Sequence, residues 1–322
     1  MSQVPEYMEE KPSRKGLILR TAGTLLALVL LIYLLGQQGW GEILAALRQI
    51  PVSHLLLASG LMFVSRLAVV GRWHILLVSS GLKISFWQST RITFAGLFAS
   101  NFLPTTIGGD VVRLAGAVQQ RQDAAISAAS LIVDRLVGLA GMLMAVPFSL
   151  PGVLEADLFR KLPASIGSLP TFSSILLQPV QKLYQKGLKI VQRLLSATGI
   201  WLRQPRSLLI SLLYTWINML CLFAILDLLL TDLQKPLSLW LIGGLYALVY
   251  LFTLIPISIN GYGLQEVSMT FLFNQVAGVT LPSALTAALL FRTLMIVASV
   301  PGAFFIPGML TKTPQTSNNP TA

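Results

Sequence analysis

The chain alternates long apolar runs with short segments rich in Pro, Gly and basic residues. Runs near 18–36, 53–79, 125–149, 207–230 and 283–307 are each long enough to cross a bilayer as a helix, which takes about 20 residues at 1.5 Å rise. A run near 85–103 ends in NFLP, and another near 236–258 ends in LIPISINGYGLQE. Each is followed by a segment that predicts a short helix, TIGGDVVRLAGAV after the first and 264–276 after the second. Both are too short to cross alone. The stretch WGEILAALRQIP is short and amphipathic, which predicts a segment lying at the membrane surface.

This pattern predicts an all-α polytopic membrane protein of about six to eight membrane helices. Two paired short or re-entrant helical segments interrupt it, with inverted repeats as one arrangement. The expected organisation is a polar N-terminal tail over 1–16, a single transmembrane domain over 17–310 and a polar C-terminal tail over 311–322. Within that domain, a first half (17–150) and a second half (207–310) flank a basic interfacial or cytoplasmic connector (151–206). The first run is read as a retained helix, because no small-residue cleavage site follows at Tyr33 to Trp40. In the connector, Lys182, Lys186, Lys189 and Arg193 share one stripe, with Leu183, Ile190, Val191, Leu194 and Leu195 on the other side. Such a helix suits the headgroup layer, although a solvated linker would carry the same pattern. The connector's basic excess predicts the cytoplasmic side. That side is the N-terminal one if 85–103 crosses fully, and the opposite one if 85–117 is a re-entrant hairpin; the charge rule favours a full crossing.

Composition agrees with the pattern. The chain is 54% hydrophobic and only 11% charged, against about 25% charged in soluble domains. A net charge of +11 would suggest nucleic acid in a soluble protein. Here the bases flank apolar segments, so anionic lipid is the expected partner and nucleic acid is not. Cys221 is the single cysteine, which excludes a disulfide framework.

The two punctuated stretches resemble each other. LPTTIGG starts at Leu103 and IPISING at Ile255. Each is followed by an acid on a short helix, Asp110 or Glu266, and then by a span with a buried-looking arginine, Arg135 or Arg292. Broken backbone inside a membrane needs cover from protein or a wet cavity, and transporters use such breaks to build polar sites. Two interfacial loops with ordinary Pro and Gly turns would give the same punctuation.

Ionisable groups within spans are costly and tend to face the protein interior. Arg72, Arg91 and Asp227 are assigned to span ends, where long side chains reach the interface. Asp134 shares a face with Ser127, Ser130, Gly138 and Gly141, which points it inward toward a close helix neighbour. Arg135 points about 100° away. Arg292 shares a face with Ala284 and Ala288 and is also expected inside. Asp110 and Arg113 are spaced to meet on one helix face, either as a structural pair or, with the amides of TIGG, as a phosphate site.

Catalytic patterns are sparse. His54 and His74 have no ligand-spaced partners, so no metal and no cofactor is expected. GGD lacks the Lys and Ser/Thr of a nucleotide loop, and NGYGLQE is not framed by a strand–helix unit. Glu266 could act as an acid or base, but no nucleophile lies near it in sequence.

Taken together, NFLPTTIGGDVVR, LIVDRLVGL and PISINGYGLQE resemble the lysylphosphatidylglycerol synthase transmembrane-region family, over about 15–310. The resemblance implies a flippase-like multipass protein of the prokaryotic plasma (inner) membrane that handles lipid. In that family the membrane region is held to move aminoacylated phosphatidylglycerol between leaflets, while a separate soluble domain carries out aminoacyl transfer. The chain ends soon after its last predicted span, so the resemblance implies the membrane region without the transferase. The family motifs fall on Asn101, Pro104, Gly108, Gly109, Asp110 and Arg113, on Asp134 and Arg135, and on Pro256, Ser258, Asn260, Gly261, Gly263 and Glu266. Gln265 stands where the family often has Arg.

The expected function is translocation of a phospholipid or lipid-linked substrate with an anionic or aminoacylated headgroup. The expected substrate-binding residues are Asn101, Gly108, Gly109, Asp110, Arg113, Asp134, Arg135, Asn260, Gly261, Gly263, Glu266 and Arg292. A membrane-embedded transferase, or a structural partner of an envelope lipid-modifying enzyme, is the alternative. Membrane phospholipids are the expected partners, with a homo-oligomer or a separate lipid-modifying enzyme left open.

Overall fold

Two helix starts are fixed by side chains that satisfy the first free amides. A computed structural model describes Val29 and residues 48–101, 103, 108–156, 199–233, 236–254, 258 and 260–306, and among these described residues there is no strand. Helix α1 is Val52–Ser79, α2 Phe86–Ser100, α3 Gly108–Gln119 and α4 Ala124–Ala145. A 3-10 turn, Val146–Ser149, and a short helix, Leu150–Glu155, continue α4. After a short helix, Gly199–Leu202, come α5 (Pro205–Leu233), α6 (Leu239–Thr253), α7 (Leu264–Gln275) and α8 (Leu281–Ser299). Helix α8 ends in a 3-10 turn, Val300–Phe305. Ser85 Oγ accepts from the Gln88 amide at 3.2 Å while Gln88 Oε1 accepts from the Ser85 amide at 2.8 Å, a reciprocal cap on α2. Asp123 Oδ1 caps α4 by accepting from the Ile126 amide at 2.8 Å. Pro147 and Pro301 sit at the start of the two 3-10 turns, where a residue without an amide donor favours leaving the α ladder.

Four helical stretches are long and apolar enough to cross a membrane: Val52–Ser79, Ala124–Glu155, Pro205–Leu233 and Leu281–Phe305. The apolar runs at 85–103 and 236–258 yield helices of 15 residues each, because both stop at the breaks. The expected span near 18–36, most of the surface segment near 40–51, and the basic stripe of Lys182, Lys186, Lys189 and Arg193 lie outside the described residues. So do Pro104 and Pro256 of the breaks, and both polar tails.

The element lengths repeat. Helices α1 to α4 hold 28, 15, 12 and 22 residues, and α5 to α8 hold 29, 15, 12 and 19. The two leading helices pack along each other in opposite directions. At one end, His54 Nδ1 of α1 lies 2.7 Å from Asp232 Oδ2 of α5. Midway, Ser65 Oγ donates to Asn218 Oδ1 at 2.7 Å. At the far end, Trp201, just before α5, donates its Nε1–H to the Leu76 carbonyl at 3.0 Å.

The first short pair is rooted at one end, and in the second half the long helices that flank the short pair are tied together. Gln88, at the start of α2, donates to Gln120, just beyond α3, at 2.8 Å, and Gln122 Nε2 donates to the Lys83 carbonyl at 3.0 Å. Helices α2 and α3 therefore run out to the break and back. In the second half, Ser283 Oγ at the start of α8 donates to the Leu233 carbonyl at the end of α5 at 3.2 Å.

The halves also interlock. Helix α2 packs on the 3-10 turn after α8, and α6 packs on the 3-10 turn after α4. Both contacts depend on glycine: a Cβ on Gly302 would enter the Phe94 carbonyl, and one on Gly244 would enter the Ser149 backbone. A large apolar core spans both halves, including Met62, Met142, Phe223, Leu245, Phe273 and Phe291. Large apolar side chains such as Leu56, Phe63, Leu213, Phe271 and Val297 are exposed, which fits a lipid-facing rim.

Candidate functional site

The third residue of α3 is Asp110 and the twelfth of α4 is Arg135. Arg135 Nε donates to Asp110 Oδ2 at 2.8 Å. The third residue of α7 is Glu266 and the twelfth of α8 is Arg292. Arg292 Nε donates to Glu266 Oε1 at 2.5 Å. The same ion pair is thus built twice, each time between the short helix after a break and the long helix that follows.

The two breaks form their turns differently. In the second, Asn260, Gly261 and Gly263 have φ of 49°, 71° and 74°, the left-handed region that Gly and Asn tolerate. This turn presents the Gly261 carbonyl to Arg292 Nη2 at 3.1 Å and stacks the Tyr262 ring 4.8 Å from the Arg292 guanidinium. In the first, Gly109 serves close approach instead. A Cβ there would lie 2.6 Å from the Gly96 carbonyl oxygen, so α2 and α3 touch backbone to backbone. Gly108 opens α3 and is buried beside it.

The first half adds a second acid. Asp134, 1% exposed, receives Arg72 Nε at 2.7 Å and Arg72 Nη2 at 3.2 Å, a two-pronged pair. Arg113 Nη1 donates to Asp134 Oδ2 at 3.1 Å and to Asp110 Oδ1 at 3.2 Å. The result is an alternating chain of charges, Arg72, Asp134, Arg113, Asp110 and Arg135, drawn from α1, α3 and α4. The Arg113 guanidinium also lies over the Trp73 ring, 4.3 Å from its centroid, a contact that favours a desolvated cation. Trp73 is held by its Nε1–H bond to Ser130 Oγ at 3.0 Å.

These groups line one cavity of about 730 Å³ that draws on both halves. Asn101, Gly109, Asp110, Arg113, Asp134 and Arg135 border it from the first half, and Asn260, Gly261 and Arg292 from the second. Asn101 Nδ2 donates to Ser299 Oγ at 2.8 Å, joining the end of α2 to the end of α8 at the cavity edge. Gly108, Gly263 and Glu266 stand behind the lining; Glu266 acts on the cavity through Arg292.

Two sequence expectations need correction. Arg72 does not reach for the interface. It lines the cavity and neutralises Asp134, because a carboxylate buried at that depth requires a cation beside it. Arg135 is not buried like Arg292: its side chain is 51% exposed, against 9%. Sequence reading also left Arg66, Trp73, Tyr246, Tyr250 and Asn218 out of the site, although all but Trp73 line the cavity. Ser65 and Arg72, and Arg66 and Trp73, are each seven apart and fall on one polar face of an apolar span; that periodicity was the available signal. Arg91 lies over the Phe305 ring at 5.7 Å, away from the ion-pair chain.

Residues 20–302 match the family described as the lysylphosphatidylglycerol synthase TM region. The chain belongs to that family. Its members are flippase-like multipass proteins, and membership is consistent with moving a lipid substrate across the prokaryotic plasma (inner) membrane. The match covers both broken stretches and all four long apolar helices except the last few residues of α8's 3-10 end. No curated protein sequence matches the chain. Among the described residues no group of three His, Cys, Asp or Glu side chains is placed to hold a metal ion.

Proposed function

We propose that the chain moves a phospholipid or lipid-linked molecule between leaflets, holding its headgroup in the cavity while its tails stay in the bilayer. The observation that carries this reading is the repeated ion pair, Asp110–Arg135 and Glu266–Arg292, which brings one arginine from each half to a shared cavity. Lipid phosphate is the natural anion for such a group of arginines at membrane depth.

In this reading the halves 17–150 and 207–310 are inverted repeats. The opposed directions of α1 and α5 support inversion. Helices α2/α3 and α6/α7 are re-entrant hairpins that enter from opposite faces and meet with their tips at the cavity. The repeats are not in the same state: Arg135 is open to the cavity while Arg292 is covered. Alternating access exchanges those states, uncovering Arg292 as Arg135 closes, and so carries the headgroup from one leaflet to the other.

The test is reconstitution in liposomes with fluorescent lipids and a membrane-impermeant quencher. Protein-dependent loss of leaflet asymmetry is expected for at least one phospholipid, with the rate cut more than tenfold by Arg292→Ala. Equal exchange with and without protein for all lipids tried would end this reading.

A further inference from the structure

The cavity holds more positive charge than its acids balance. Five arginines border it, Arg66, Arg72, Arg113, Arg135 and Arg292, against Asp110 and Asp134. Glu266 is bound to Arg292 from behind. Five cations against three carboxylates leave an excess of two among the described residues.

The excess has an address. Arg66 lies midway along α1 and is 8% exposed. No carboxylate pairs with it among the described residues; its Nη2 rests on Met62 Sδ at 3.0 Å and its Nε makes no hydrogen bond. Arg113 divides one nitrogen between two acids and leaves Nε and Nη2 unbonded. The helix repeat does not explain Arg66, since Met219 occupies the matching fifteenth position of α5. A guanidinium this deep without an acid is expensive unless an anion joins it. The nearby polar lining, Asn218, Tyr246 and Thr93, brings amide and hydroxyl groups that bond a phosphate without adding charge.

We infer that the cavity selects a headgroup of net negative charge, with its phosphate on Arg66, and rejects headgroups whose amines make them net positive. This rests on the lipid-translocation reading above and adds to it the class of substrate. Phosphatidic acid and phosphatidylglycerol fit. Lysylated phosphatidylglycerol, with two amines against one phosphate, does not: its amines would face an excess of arginines at low dielectric. Arg66 is then a specificity-determining residue.

The experiment separates binding from movement. Purified full-length protein in detergent is titrated with fluorescent short-chain phosphatidic acid and competed with unlabelled short-chain phosphatidic acid, phosphatidylglycerol, phosphatidylcholine, lysylated phosphatidylglycerol or inorganic phosphate. The two anionic lipids should compete at least tenfold more strongly than the lysylated one. Arg66→Gln should erase that difference, and Arg66→Lys should restore most of it. Equal or stronger competition by the lysylated lipid overturns the inference without needing any variant. Displacement by inorganic phosphate as effective as by the short-chain lipid overturns the lipid source and assigns the cavity to a soluble anion. Unchanged selectivity in a folded Arg66→Gln protein overturns the role of Arg66. Selective binding without exchange in liposomes supports the inference and sinks only the translocation reading.

Discussion

Asp110 and Arg135 are joined at 2.8 Å across α3 and α4, and Glu266 and Arg292 occupy the same two helix positions in the second half at 2.5 Å. Arg135 of the first pair is open to the cavity, whereas Arg292 of the second is covered. That difference in exposure predicts different access to water. In a Cys221→Ser background, Arg135→Cys should react with a charged, membrane-impermeant thiol reagent, while Ala288→Cys, buried beneath Arg292, should not. Leu213→Cys, on the lipid-facing rim, should also stay unlabelled. Labelling of Ala288→Cys at the rate of Arg135→Cys would contradict the cavity.

Asp134 anchors two arginines from different helices. Asp134→Asn leaves Arg72 and Arg113 without their shared carboxylate. Removing one partner of a buried ion pair costs about 3–5 kcal/mol. The expected outcome is a large drop in thermal unfolding temperature in detergent. Asp134→Glu should recover part of it. An unchanged unfolding temperature for Asp134→Asn would show that water already satisfies both arginines.

Arg292 is asked for three contacts at once: Glu266, the Gly261 carbonyl and the Tyr262 ring. A lysine has one ammonium and no planar fork, so it cannot make all three. Arg292→Lys should keep the charge and yet cut lipid exchange about tenfold, the equivalent of about 1.4 kcal/mol. Exchange equal to the natural protein's would reduce Arg292 to a point charge.

Gly109 and Gly261 should respond differently to alanine. Gly109→Ala pushes a methyl into the Gly96 carbonyl and must part α2 from α3; overpacking of this kind costs about 1–3 kcal/mol. At Gly261 a Cβ meets nothing closer than 3.4 Å, so only the left-handed backbone opposes it, at about 1–2 kcal/mol. Gly96→Ala should be as harmful as Gly109→Ala, since the two backbones meet face to face. Thermal unfolding of the three variants checks the order. Tolerance of Gly109→Ala alone would contradict the close crossing.

The sequence by itself determined the membrane class, the position of the four long spans among the described residues, and where the helices stop at the two breaks. Bilayer thickness sets a length that apolar runs reveal directly, and Pro, Gly and Asn mark where a helix must stop. It also placed Asp134 and Arg292 inward, because small and apolar residues at helical spacing share their faces. It did not reveal that Arg72 belongs to Asp134, 62 residues away, or that α1 runs opposite to α5. Spacing within one helix fixes which side a charge faces, whereas its partner is chosen by which helices pack together. For the same reason the matching glycines of the two breaks looked alike in sequence. Only packing separated Gly109, needed for a backbone crossing, from Gly261 and Gly263, needed for a left-handed turn. The unbalanced charge of Arg66 was likewise a tertiary fact: an arginine lacks a counter-ion only once every neighbouring helix is in place.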